Sequence, residues 1–212
     1  MRIEYPKVRI MALTGTAPPE AVNDVIDRLG MPNCLRLTES HNCTNLNYVV
    51  RQKWKGAVLA DVVEFIRTNY NGQTGIIYAT SRKKCEHIAA ELRNAHHLSA
   101  FPYHGTMDKN ERQHNQDMWQ DGKCKIIVAT NAFGMGINKS NGMAFSHDLR
   151  RMCLTTWEAV RFVIHHSLPK DLENYYQEAG RAGGDSSPAD CVLSHSYRDY
   201  RAGCADVPRR TR

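Results

Sequence analysis

From Ala57 to Leu193 the apolar residues fall into two alternating patterns: short unbroken runs, and longer stretches in which they recur three or four positions apart. The runs predict buried strands at Gly75–Ala79, Ala100–Tyr103, Lys125–Ala129, Arg161–His166 and Ala189–Leu193. The periodic stretches predict helices. One begins at Ala57 with Leu59, Val62, Val63 and Ile66 inward, and one begins at Ser81 with Cys85, Ile88, Ala89 and Leu92 inward. A third follows the strand at Ala100–Tyr103, with Asp108 and Glu111 at capping-box spacing, and a fourth covers Leu172–Gly180. Such alternation implies an α/β fold, a parallel sheet with helices on both faces, because parallel strands are joined by right-handed helical crossovers.

The pattern before Ala57 is different. Val8–Thr14 predicts a buried strand, and Ala17-Pro18-Pro19 opens a helix with Val22, Val25, Ile26 and Leu29 on one face and a stop at Gly30. Cys34–Lys55 is less regular, with a strand at Leu46–Val50 among Asn- and Thr-rich loops, and reads as a connection. The expected organisation is a β-α unit over 1–40, a linker over 41–56, a larger domain over 57–195 and a basic tail from 196 to 212 that is more frayed than folded.

Composition narrows the partners. Lys plus Arg number 28 against 22 Asp plus Glu, a net charge of +6, which suits a polyanion without demanding one. The seven cysteines, Cys34, Cys43, Cys85, Cys124, Cys153, Cys191 and Cys204, form no C-x-x-C pair, so neither a zinc knuckle nor a disulfide ladder is indicated and a reducing compartment fits, nuclear or cytosolic. No apolar run approaches the roughly 18 residues of a membrane span, and no membrane partner is expected.

Ligands of parallel sheets gather at the carboxyl ends of the strands, and there this chain places hydroxyls, glycines and cations. Thr80, Ser81 and Arg82 follow one predicted strand, His104 and Gly105 the next, Thr130 with Gly134 and Gly136 a third, and Ser167 with Lys170 a fourth. Backbone N–H groups at loop and helix starts attract anions, so this edge is expected to be a phosphate-contacting rim. The stretch from Tyr175 to Asp185, with Gln177, Gly180, Arg181, Gly183 and Gly184, adds a fixed cation among glycines. Simpler roles stay open for two of these residues: Ser81 as a helix cap, and His104 as a hydrogen-bonding group of the sheet edge.

These residues in this order resemble the second RecA-like motor domain of superfamily-two helicases, and specifically the RecQ family, nearest its Bloom-type members. The resemblance covers about Ile10 to Leu193. Ala12-Leu13-Thr14-Gly15-Thr16-Ala17 is similar to the motif closing the first motor domain, and Gly75–Arg82 with Lys83, Lys84, Cys85 and Glu86 to the motif opening the second. Tyr103-His104-Gly105, Ala129-Thr130 through Gly134-Met135-Gly136-Ile137-Asn138-Lys139, and Gln177 to Asp185 complete the set. Gln177-Glu178 stands where RNA helicases of the DEAD-box kind carry His-Arg, which favours DNA.

The resemblance implies 3′ to 5′ translocation on single-stranded or forked DNA, driven by ATP with Mg²⁺, in nuclear DNA repair and recombination. It implies Arg181 as the arginine finger, Gln177, Gly180 and Gly136 at the nucleotide, and Ser81, Arg82, His104 and Thr130 gripping DNA phosphates or relaying to the nucleotide.

Departures from the family accompany the likeness. These residues contain no G-x-x-x-x-G-K-[ST] run and no Asp-Glu dipeptide, so a complete ATP site requires a first motor domain. Gly184 occupies the place of a second arginine, Gly15 and Asn138 stand for the usual Ala and Asp, and Cys43 for an arginine. An ATPase-defective copy is therefore expected. Gly142–Ala159 adds 18 residues where the family has one or two. It is either a surface insertion, tolerated because loop closure costs little more as loops lengthen, or a translated intron whose removal would join Asn141 through Val to Arg161. A non-catalytic DNA-binding or regulatory module working with an intact helicase, or a decayed copy, is the alternative to a helicase motor.

Overall fold

The computed structural model describes residues 8–14, 18–38, 42–53, 58–133, 160–197 and 199. Gly136, the 142–159 insertion and nearly all of the basic tail lie outside them. The chain divides into two compact units, Met1–Cys43 and Thr44–Arg212.

In the first unit, helix α1 (Pro19–Leu29) begins with proline at its first turn, where the missing N–H costs nothing, and ends at Gly30. Ile26 is its buried residue, and Arg28 pairs with Asp24 one turn back. The strand expected at Val8–Thr14 is not formed. Those residues run without regular structure, Met11 80% and Leu13 83% exposed. A parallel strand is stable only beside other strands, and the described residues of this unit contain none.

The second unit is one six-stranded, all-parallel sheet. In chain order its elements are β1 (Leu46–Gln52), α2 (Val58–Asn69), β2 (Gly75–Tyr78), α3 (Arg82–Asn94), β3 (Ala100–Tyr103), α4 (Lys109–Gln120), β4 (Ile126–Ala129), β5 (Phe162–His165), α5 (Leu172–Ala179) and β6 (Ala189–His195). The strand order is β1-β6-β5-β2-β4-β3. Leu46–Val50, expected to belong to a linker, is therefore a strand of the sheet. It extends to Gln52 and pairs with β6 from Leu46↔Ala189 to Gln52↔His195. Its Asn- and Thr-rich flanks and half-polar pattern obscured this, because an edge strand buries only some of its side chains.

Side-chain alternation along the strands assigns the helices to faces. Ile77, Ile126, Val128, Phe162, Ile164 and Val192 join Val62, Val63 and Ile66 of α2 and Cys85, Ile88, Ala89 and Leu92 of α3 in one core. On the other face α4 contributes Trp119, edge-on to Phe133 and donating to Gly75 O at 3.3 Å, and α5 contributes Tyr175, packed on His165. Helices thus cover both faces, a RecA-like arrangement.

Candidate nucleic-acid interface

The central strands end level. Tyr78 lies in register with Ala129 on one side and His165 on the other, and Ala129 with Tyr103. Backbone bonds carry that alignment one residue further: Ala79 N to Ala129 O at 2.8 Å, Thr130 N to Tyr103 O at 3.2 Å and His166 N to Tyr78 O at 2.9 Å. The loops after β2, β3, β4 and β5 consequently leave from one edge. The chain departs from β2 toward β3 and from β5 toward β6, in opposite directions, so the crevice between β2 and β5 is the switch point where parallel sheets bind ligands.

A cleft of about 360 Å³ opens there. Thr80, Lys84, Asn131, Ser167, Lys170, Asn174, Glu178 and Asp199 line it, above a floor of Tyr78 and His165. Asp199 accepts from Lys53 Nζ at 2.8 Å, and Glu178 bonds His165 at 2.9 Å, so each carboxylate on the wall has a partner within the protein. Lys84 and Lys170, both exposed, supply its cationic character. His166 stands beside the cleft with its pKa pushed down to about 4, first by burial and then by Lys53 and Lys84, with Asp199 opposing. Its imidazole is neutral at pH 7. A larger cavity, about 580 Å³, lies between α2 and the β1–β6 flank and is lined by Arg51, Lys53, Asp61 and Glu64, a mixture of signs that favours no anion.

The expected contact residues sort into three settings. Arg82 is exposed at the first turn of α3, beside Lys83 and Lys84. Ser81 caps that helix, its hydroxyl accepting from Lys84 N at 3.4 Å. Thr130 is half-buried at the rim, with Ala132 N donating to its hydroxyl at 3.4 Å. His104 is buried, bonded through Nε2 to Glu86 at 3.0 Å and through Nδ1 to Thr106 at 3.1 Å. Both its nitrogens are committed, so a ligand above the rim would reach it only through Glu86 or Thr106.

Gln177, Gly180 and Arg181 belong to a different setting. They lie in the second half of α5 and just past it, where the following turn meets the amino edge: Gly183 N donates to Val160 O at 2.9 Å. Gln177 and Gly180 are exposed and Arg181 is half-buried. The positive charge of Arg181 opposes, and the negative charge of Glu178 adds to, the upward shift that burial gives the Tyr78 phenol, so both charges lie near that ring. Tyr78 stacks on His165 and donates to Phe133 O at 3.1 Å, which links the face beneath Arg181 to the loop after β4. Arg181 supplies a fixed positive charge to this face. Among the described residues no three His, Cys, Asp or Glu side chains converge to hold a metal ion.

Sequence reasoning did not find Asn131, Asn174, Glu178 or Asp199 as cleft residues, or Lys84 as a contact. Lys84 was within reach, since it stands one turn into a helix that begins at the rim. Asn131 was too, next to Thr130 in the loop after β4, whereas Asn174, Glu178 and Asp199 depend on how α5 and the segment after β6 fold over the edge.

The parallel sheet, its order and its level edge define a RecA-like domain. Residues 55–143 match the family described as helicase conserved C-terminal domain. An ATP-dependent DNA helicase of Schizosaccharomyces pombe, hus2/rqh1, is 44% identical over 94% of this chain and 14% of its own length. ATP-dependent DNA helicase Q-like 2 of Arabidopsis thaliana is 43% identical over 100% of this chain and 27% of its own, and the mouse helicase Q1 is 39% identical over 94% and 28%. The chain carries a helicase C-terminal domain and is homologous to RecQ-family DNA helicases, of which it spans less than a third of the length. In fold it is similar to a DEAD box protein of Methanococcus jannaschii, with a TM-score of 0.61 at 16% identity over 87% of this chain and 45% of that one. It also resembles the helicase Lhr of Mycobacterium smegmatis, with a TM-score of 0.56 at 22% identity over 76% and 21%. No helix among the described residues is long and apolar enough to cross a membrane.

Proposed function

We propose that this chain is the second motor half of an ATP-dependent, 3′ to 5′ DNA helicase of nuclear repair and recombination. Its carboxyl edge holds the backbone of single-stranded or forked DNA, and Arg181, assisted by Gln177 and Gly180, faces a nucleotide held mainly by a first motor domain. The observation that carries this reading is the convergence of Thr80, Arg82, Lys84, Thr130, Asn131, Ser167 and Lys170, from the ends of three neighbouring strands, on one level edge. Contacts to phosphates carry affinity without sequence, so binding to single strands should be salt-sensitive and sequence-tolerant. His104 suits the relay role better than direct grip, because Glu86 and Thr106 occupy its ring nitrogens.

Fluorescence anisotropy with an oligonucleotide tests the rim. Replacing Lys84 or Lys170 by Gln should weaken binding for every sequence and lower the salt slope by about 0.7 for each phosphate no longer neutralised. Binding that ignores both substitutions would end this reading.

A second reading, a DNA-binding or regulatory partner of an intact helicase or a decayed copy, draws support from Gly184. It is exposed, and a β-carbon there would meet nothing within 4 Å, so the finger-bearing turn has room for an arginine that this chain lacks. A finger arginine contributes about 10³ to 10⁵ in rate. Supplied with a first motor domain, the chain should bind DNA with little hydrolysis, and Gly184→Arg should restore DNA-stimulated ATPase. Brisk, equal hydrolysis by both would discard the defect. Transcripts across codon 142 decide between insertion and intron.

A further inference from the structure

The turn that follows Arg181 is held by a residue far away in the sequence. Asn45, just before β1, donates its side-chain amide to Gly183 O at 2.9 Å and to Ser187 O at 3.1 Å. Its own carbonyl accepts from Ala189 N at 3.0 Å. From just before β5, Arg161 donates to the Asp185 carboxylate and, at 3.1 Å, to Pro188 O. Within the turn Ser186 N bonds Gly183 O at 2.9 Å and Ser187 N bonds Asp185 at 3.1 Å.

This turn would not keep its shape unaided. Gly183 and Ser186 both have left-handed backbone, φ +62° and +65°, which for serine costs free energy. The fit around Gly183 is tight: a β-carbon there would lie 2.4 Å from Asn45 Nδ2 and 2.9 Å from Ser187 O. Arg181 sits two residues upstream, its N–H bonded to Glu178 O at 3.2 Å. With α5 fixed before it and Gly183 fixed after it, its backbone has no slack.

We propose that Asn45 is a positioning residue for Arg181: it touches no nucleotide, and it locks the turn that sets where the guanidinium points. This rests on reading Arg181 as the finger. The chemistry demands asparagine, since both hydrogens of one planar amide go to two carbonyls of the same turn. Aspartate, equal in size, would set a carboxylate against those carbonyls with nothing to donate.

Amide exchange on the 212-residue chain tests the clamp without reference to activity. Asn45→Asp should speed exchange at Gly183 and Ser186 by about tenfold or more while Ile76 and Ile77 of β2 keep their protection. Unchanged exchange at the turn overturns the clamp. If β2 loosens as well, Asn45→Ser, which retains one donor, carries the same comparison. The positioning role is then read in the chain joined to a first motor domain, in the Gly184→Arg background. Asn45→Asp should lower kcat about tenfold with KM for ATP held within about twofold, and should add nothing to Arg181→Ala. Losses that add overturn it. A joined protein that binds DNA but hydrolyses no ATP overturns the finger reading itself, and the exchange result still stands or falls alone.

Discussion

Gly75 and Phe162 face each other across β2 and β5, and a β-carbon on Gly75 would lie 2.1 Å from the phenyl ring. Gly75→Ala should therefore displace a fully buried aromatic and lower stability by about 1–3 kcal/mol, seen as a lower urea midpoint. An unmoved midpoint would mean that the ring yields without strain. His166 gives the residue scale its pH dependence. Its imidazole is held down to about 4 in the folded chain against 6.5 ordinarily, so between those values the unfolded chain binds a proton that the folded chain refuses. Stability is full above 6.5 and falls as the pH drops toward 4, by at most about 3 kcal/mol. His166→Gln should flatten that slope in denaturation series from pH 7 to about 4.5; an identical slope would shift the cause elsewhere.

Helices and strands were legible to the extent that their partners are near in sequence. The inward residues Cys85, Ile88, Ala89 and Leu92 of α3 are all buried, and Asp108 caps α4 as its spacing from Glu111 implied, accepting from Asn110 N at 2.8 Å. Asp108→Ala should cost about 1 kcal/mol with DNA binding intact. Ser81→Ala removes a longer cap bond and should cost less stability but more DNA affinity, which distinguishes capping from contact. Strand β1 was seen and misassigned, because polar flanks conceal pairing with residues more than a hundred positions away. Asn45 could not be found at all: its partners are 138 and 142 residues distant and are backbone carbonyls, which leave no mark in side-chain pattern. The rim was legible because it follows from strand ends. The cleft walls from α5 and Asp199 were not, since they depend on folded distance.

At the scale of the molecule, the two units differ in how well they bury their apolar residues. In the first, Leu35 is 85% and Leu37 87% exposed, as Met11 and Leu13 are nearly as much. So many bare aliphatics favour association. Leu35→Lys with Leu37→Lys should reduce self-association in light scattering and leave the unfolding of Thr44–Arg212 unchanged; undiminished scattering would exonerate these two residues. In the second unit, β1 and β6 lie side by side, parallel, over seven paired positions. Tension applied at Leu46 and His195 would draw these neighbours lengthwise past each other and load every rung of the ladder at once, where an antiparallel pair tugged from one end opens rung by rung. The flank that receives the chain and releases it is thus built to resist a mechanical load.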